Sequence, residues 1–311
     1  MIIIDIHPLI HAAAQQLLKT CNFPTKEHWD RNYTSVLNGY ITRAASDANK
    51  FGDAPVVLVL DSSQNWRCVY HPGYKMLRSV NKKALEEGRS AGRGLSFPEH
   101  FRQAWLEGFE LNDCSNDTAE WDGGMLGLND GSNIPPSHQV QIYYAMSLAN
   151  QSLLAGGFSI GRYKAISIRH AEADDIIGVL TREPGRHVVV SGDKDFKQLL
   201  SSNVKMMHPI TMEEITVEDY SLQDHILQGD VIDGIPSVLN PLDHYICSRK
   251  RAKPMTKKQV IRLKAGNITD EEKVRIEQNT LLIDLRCIPS KLERLVQKWI
   301  SAWNMGVRVK N

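Results

Sequence analysis

His170-Ala-Glu-Ala-Asp-Asp-Ile-Ile-Gly-Val-Leu180, followed closely by Ser191-Gly-Asp-Lys-Asp-Phe196, decides the reading of this chain. The first stretch predicts a helix whose opening turn holds Glu172, Asp174 and Asp175. The second sets Asp193 and Asp195 just past the apolar run His187-Val-Val-Val190. The helix macrodipole favours acids at an N-terminus, so a few of them need no further reason. Five within 24 residues do need one, because crowded carboxylates repel unless positive charge sits among them. A divalent metal is the simplest such charge, and hard oxygen donors point to magnesium or manganese.

Working outward, residues 1–5, 55–60, 163–168, 187–190 and 204–207 are apolar runs that predict five strands. Helical spacing fills the intervals. It runs through 11–18, and through 35–50, where Val36, Leu37, Tyr40, Ile41 and Ala44 share one side. This alternation predicts an α/β fold, a mostly parallel central sheet flanked by helices. Sites in such sheets form beyond the carboxyl ends of the strands. Asp5, Asp61, Glu172, Asp174, Asp175, Asp193 and Asp195 all follow a predicted strand. One such Asp ordinarily caps a turn or helix. The whole set on one rim reads as a metal site. His7 and His11 are four apart on one helix face; with no third ligand of that type nearby they read as structural.

Composition bounds the rest. The chain has 311 residues, enough for one large domain or two small ones, with 42% hydrophobic and 23% charged residues. Met-Ile-Ile-Ile-Asp lacks the basic start of a signal peptide, and no apolar run is long enough to span a bilayer. The five cysteines are scattered without a Cys-x-x-Cys pair, which suits a reducing cytoplasm and argues against zinc or disulfides.

The net charge of +1 is unevenly spread. Residues 64–94 carry Arg67, Lys75, Arg78, Lys82, Lys83, Arg89 and Arg93, interleaved with Trp66, Tyr70 and Tyr74. That composition suits backbone-tracking contacts with base stacking. Residues 110–130 are acidic and Gly/Asn-rich, and read as a flexible insertion. In Gln228-Gly-Asp-Val-Ile-Asp-Gly-Ile-Pro236, Gly229 breaks a helix predicted over 222–227, and Asp230 and Asp233 point one way from a turn. A basic run follows at 247–264, with Lys250, Arg251, Lys253, Lys257 and Lys258, suited to holding duplex phosphates by charge. Segments 271–279 and 280–285 and a helix over 290–303 close the chain.

Counting Asp230 and Asp233, nine carboxylates exceed the needs of one ion. Two ions about 3.5–4 Å apart would use them, and paired metals serve phosphodiester chemistry. No Ser-His-Asp or Cys-His arrangement competes, and a glycosidase needs only two carboxyl groups.

At this point the residues match a family. The chain resembles the flap endonuclease / 5′→3′ exonuclease family, whose nuclease core is related to PIN domains. The marks are Asp5, Val59-Leu60-Asp61, Trp66-Arg67 with Tyr74-Lys75 and Arg78, Glu172-Ala-Asp-Asp175, Ser191-Gly-Asp-Lys-Asp195 and Gly229-Asp-Val-Ile-Asp-Gly-Ile-Pro236, in family order over residues 1–240. Within the family the likeness is nearest to the ribonuclease H of T-even-type bacteriophages, and extends to Leu281-Leu-Ile-Asp-Leu285 and the helix start at Ile288-Pro289.

The resemblance implies a PIN-like nuclease core over 1–220, with a helical arch at about 66–105 and the insertion at about 110–137. It implies a helical duplex-binding region over 221–311, with a helix–three-turn–helix segment. Asp5, Asp61, Glu172, Asp174 and Asp175 would hold a first magnesium, with Asp193 between two ions. Asp195, Asp230 and Asp233 would hold the second, and manganese would substitute. Asp5, Asp61, Glu172, Asp174 and Asp193 would serve catalysis, with Lys75 and Arg78 touching the scissile phosphate. Arg67, Tyr74, Lys75, Arg78, Lys82, Lys83, Lys250, Arg251, Lys253, Lys257 and Lys258 would bind nucleic acid.

The implied activity is 5′→3′ exonuclease, flap endonuclease and ribonuclease H cleavage, with removal of RNA primers in phage lagging-strand replication. The implied partners are flapped or 5′-ended duplex DNA, RNA–DNA hybrid and a phage single-strand DNA-binding protein. The expected state is a monomer in the host cytoplasm. The alternatives are a PIN-type single-strand ribonuclease, which is usually a much shorter chain, and a non-catalytic DNA-binding protein, which would have lost carboxylates. One departure stands out. The family's Gly-x-x-Gly-x-Gly hairpin after Ile-Pro is replaced by Ser237-Val-Leu-Asn-Pro-Leu-Asp243.

Overall fold

A computed structural model describes residues 1–21, 25–51, 54–62, 65–71, 73–75, 142, 145–146, 148–149, 153, 163–218, 220–247 and 252–304. Arg78, Lys82, Lys83, Lys250 and Arg251 lie outside the described residues, as do most of the expected arch and the acidic insertion. The chain divides into two compact units. One comprises Met1–Gln64, Cys114–Glu218 and Pro289–Asn311, and the other Asn65–Asp113 and Asp219–Ile288.

The first unit is built on six strands: β1 (Ile2–Asp5), β2 (Val56–Val59), β3 (Tyr163–Ile166), β4 (His187–Val190), β5 (Val204–Met207) and β6 (Glu214–Ile215). Their order is β3-β2-β1-β4-β5-β6, parallel throughout except for the antiparallel pair β5–β6. The expected mostly parallel α/β sheet is therefore found, with a two-residue edge strand in addition. β1, β2 and β4 are buried at every position, as befits strands covered on both faces.

Successive strand side chains point to opposite faces. Ile2, Ile4, Val56, Leu58, Val188 and Val190 join one core with α1 (His7–Thr20) and α2 (Lys26–Ala48). The other face is covered by α4 (Ala173–Leu180), which packs on β1 and β2. α2 begins well before the predicted residue 35, and Thr25 caps it by accepting from the His28 N–H. α4 buries every residue except Asp174, so it needs cover on its outer side too. That cover is α9 (Ser290–Asn304), which supplies Leu292, Val296, Trp299 and Ile300. Arg182 bonds Glu293 at 2.7 Å and Gln297 bonds Glu183 at 2.8 Å alongside it.

The second unit contains α3 (Arg67–Tyr70), α5 (Leu222–Gln228), α6 (His244–Cys247), α7 (Lys257–Lys264) and α8 (Asp270–Ile283). Gly229 ends α5 at φ +70°, where L side chains are disfavoured. The segments read at 271–279 and 280–285 join in one helix, and α8 runs straight through residue 279. The reason is tertiary. Asn279 is buried, and its side chain donates to Ile226 O and Pro236 O, each at 2.9 Å. Among the described residues, no helix is long and apolar enough to cross a membrane.

Candidate active site

The carboxyl ends of β1–β4 share one edge of the first unit, and a chain of hydrogen bonds runs along it. Ser191, just past β4, donates from Oγ to Asp5 Oδ2 at 2.7 Å and accepts from Asp193 N at 3.1 Å. The other oxygen of Asp5 accepts from His7 N at 3.2 Å. The His7 ring places Nδ1 2.9 Å from Asp61 Oδ2, while Asp61 Oδ1 accepts from Ala173 N at 2.7 Å. Ala173 opens α4, where Glu172 and Asp175 form a reciprocal capping box. Asp175 is fully buried and accepts from Glu172 N at 2.9 Å, while Asp174 beside it stays half-buried. Asp193 accepts from Asp195 N at 3.0 Å. Asp5, Asp61, Glu172, Asp174, Asp175, Asp193 and Asp195 thus all lie at or just beyond these strand ends.

His170 sets the approach to this helix at φ +67°, uncommon for a residue with a side chain. Its N–H donates to Ser62 Oγ at 3.2 Å.

Electrostatics marks Asp5 in particular. It is 8% exposed, and its carboxyl is pushed up to about 6 by burial first and by the neighbouring Asp61 charge second. The bonds from Ser191 and His7 oppose this only in part. All-oxygen donors, one of them a buried acid beside a like charge, fit a hard divalent cation. The raised value also sets a sign. Between pH 4 and 6 the unfolded chain ionises Asp5 while the folded chain keeps its proton, so folding stability falls as pH rises. A rise from 3.8 to about 6 corresponds to about 3 kcal/mol lost once the group ionises in the fold. Metal-free Asp5→Asn is therefore expected to melt above the parent at pH 7, with the gap closing by pH 4. Parallel melting curves across that range check it, and a gap independent of pH would refute the buried-charge account.

In the second unit, Asp230 and Asp233 share a tight turn. Asp230 Oδ1 accepts from Ile232 N and Asp233 N, and Oδ2 lies 3.3 Å from His225 Nε2. Gly234, at φ +76°, closes the turn against Gly73, where a Cβ would overlap the Gly73 carbonyl. This turn holds the segment around α3. His71 Nε2 meets Gly234 O at 2.8 Å, Lys75 N donates to Asp233 O at 2.8 Å, and Tyr74 donates to Asp233 Oδ2 at 3.3 Å.

Arg67 and Tyr74, expected among the nucleic-acid contacts, are both buried in this structure. Arg67 is 2% exposed, donates to Leu282 O at 2.9 Å and lies over the Trp66 ring. Tyr74 is 6% exposed. The basic run also divides. Arg262 makes a bidentate pair with Glu272, which holds that carboxyl down at about 2, and Lys264 pairs with Asp224. Lys253, Lys257 and Lys258 are exposed, and among the described residues none forms an ion pair with them. Where the glycine hairpin is missing, buried Asn240 clamps Lys253 instead, accepting from its N–H at 2.8 Å and donating to its carbonyl at 3.1 Å.

Sequence reasoning missed two rim residues. Ser191 had a signal in its place between the strand end and Asp193. His7 stood out in sequence only through its spacing to His11, which gave it a structural reading and no link to Asp61.

The mostly parallel sheet with this acidic edge matches the PIN-like 5′-nuclease fold. Residues 145–226 match the family model of the 5′-3′ exonuclease N-terminal resolvase-like domain. Among solved structures, the chain is similar to the bacteriophage T5 D15 protein co-crystallised with metal ions, at TM-score 0.50 and 14% identity, covering 96% of this chain and 97% of that one. A bacteriophage T5 5′-exonuclease with bound zinc gives TM-score 0.49, and a T5 flap endonuclease variant in a product complex with DNA and metal ions gives 0.47. Each is 14% identical over 96% of this chain and 97% of that one. At this identity the likeness speaks for the fold alone. No curated protein matches the chain.

Proposed function

We propose that the chain is a magnesium-dependent 5′-nuclease that cleaves 5′ flaps, nicked or 5′-ended duplex DNA and RNA–DNA hybrids, with removal of RNA primers as its task. The observation carrying this reading is the hydrogen-bonded row Asp193–Ser191–Asp5–His7–Asp61–Ala173 along the carboxyl edge of the sheet. Asp5, Asp61, Glu172, Asp174 and Asp175 would hold one ion, Asp193 would serve two, and Asp195, Asp230 and Asp233 would serve the second. Bound ions supply an acidified water and positive charge at the phosphate.

The chain's own groups do the remainder. Ser191 fixes the direction of Asp5 and the start of the loop to Asp193. The capping box fixes the first turn of α4, and with it Asp174. Lys75 and Arg78 bring cationic charge to the phosphate being cut. Lys253, Lys257 and Lys258 hold duplex phosphates, with Lys250 and Arg251 alongside in sequence.

The test uses 5′-labelled flap, nicked and RNA-primed substrates, with product lengths read in magnesium, manganese and EDTA. Short 5′ products released only with metal are expected, from all three substrates. Cleavage of single-stranded RNA alone would favour the PIN-type ribonuclease, and full activity in EDTA would refute the metal role.

A further inference from the structure

His7 touches two acids of the edge with different atoms. Its N–H, the first of α1, donates to Asp5 Oδ1 at 3.2 Å, and its ring Nδ1 lies 2.9 Å from Asp61 Oδ2. The helix start has no side-chain cap from Ile6 and no acid in its first turn, so Asp5 also serves that orphan N–H. One turn on, His11 stacks on the His7 ring, with centroids 5.8 Å apart and planes 26° from parallel. That stacking limits how far the ring can swing. On its far side Asp61 is already fixed by Ala173 N at 2.7 Å. A carboxylate held at both oxygens has one orientation, while one held at a single oxygen can turn about its χ angles.

We propose that His7 is a positioning residue of the acidic edge, its ring setting the direction in which Asp61 presents its oxygens beside Asp5. The inference rests on the metal reading above. An outer partner that orients a metal-binding carboxylate is typically worth 10–100-fold in metal affinity or activity. The two interactions separate cleanly by substitution. His7→Ala keeps the N–H on Asp5 and loses only the ring on Asp61. His7→Asn restores an N–H donor close to the Nδ1 position. His7→Leu keeps apolar bulk against His11 but cannot donate.

The test is the rise in melting temperature of the full chain with added manganese or magnesium, for the parent and the three variants. Metal that binds only the folded state stabilises it, so the half-saturating concentration reads affinity without any substrate. His7→Ala and His7→Leu are expected to need on the order of 10-fold more metal, and His7→Asn to recover to within about 3-fold of the parent. If His7→Ala fails to fold, the Leu and Asn pair still isolates the N–H. Parent-like metal affinity in His7→Leu, or no recovery in His7→Asn, overturns the role of His7 alone. A parent that shows no metal-dependent rise overturns the metal site itself, and this inference with it.

Discussion

Asp174→Asn is expected to abolish cleavage while leaving DNA binding within a few-fold of the parent. Asp174 takes no part in the capping box, which belongs to Glu172 and Asp175. The substitution therefore leaves the helix start intact and removes one charge from its first turn, at a cost of about 0.3–1 kcal/mol through the macrodipole. Folding should survive. Partners that merely orient a metal ligand are worth 10–100-fold, so a ligand itself should exceed about 100-fold. Single-turnover rates on the flap substrate, beside affinity measured in calcium or EDTA, check both halves. A rate within about 10-fold of the parent would remove Asp174 from the metal site.

Lys75→Ala should lower kcat by about 10²-fold or more, with a modest loss of affinity. A cation where negative charge develops stabilises the transition state more than the bound substrate, and losing one such group costs about 10²–10³. The local backbone is set independently of the side chain. Lys75 sits at φ +54° with its N–H on Asp233 O, and alanine retains that bond. Replacing Lys253, Lys257 and Lys258 together should do the opposite. Binding should weaken, and the saturated single-turnover rate should hold. The slope of log K against log salt should flatten by about 0.9 for each phosphate no longer neutralised. If Lys75→Ala harms only affinity and the triple variant harms only the saturated rate, the two groups have been assigned the wrong way round.

The sheet and its acids were legible because burial and chemistry there leave marks in sequence. A strand covered on both faces is an unbroken apolar run, so 187–190 coincides with β4, and the acids follow at the strand ends. Other elements obey signals that sequence hides. The front of α2 was missed because its core residues are aromatics in a polar background. Trp29 and Tyr33, both 0% exposed, begin a stripe continued by Leu37 and Ile41 at four-residue steps. Asn279-Thr280 parts two segments in sequence and joins them in the fold, because Asn279 answers two carbonyls that only the folded chain brings near. β6 is too short for any period to show. At the site, the acids could be read from their positions, but Ser191 and His7 act through hydrogen bonds between strands far apart in sequence. Their contribution appears only with the fold.

The cover that α9 gives to α4 has a consequence for synthesis. A ribosome that has released residues up to 288 has already made all nine acids. The outer flank of the acidic helix is then still wet, because Leu292, Val296, Trp299 and Ile300 have yet to arrive. A nascent chain thus holds the full set of carboxylates before it holds a settled edge to mount them on. A stop codon anywhere between residues 234 and 290 would spare every proposed metal ligand and still leave their helix without its outer wall.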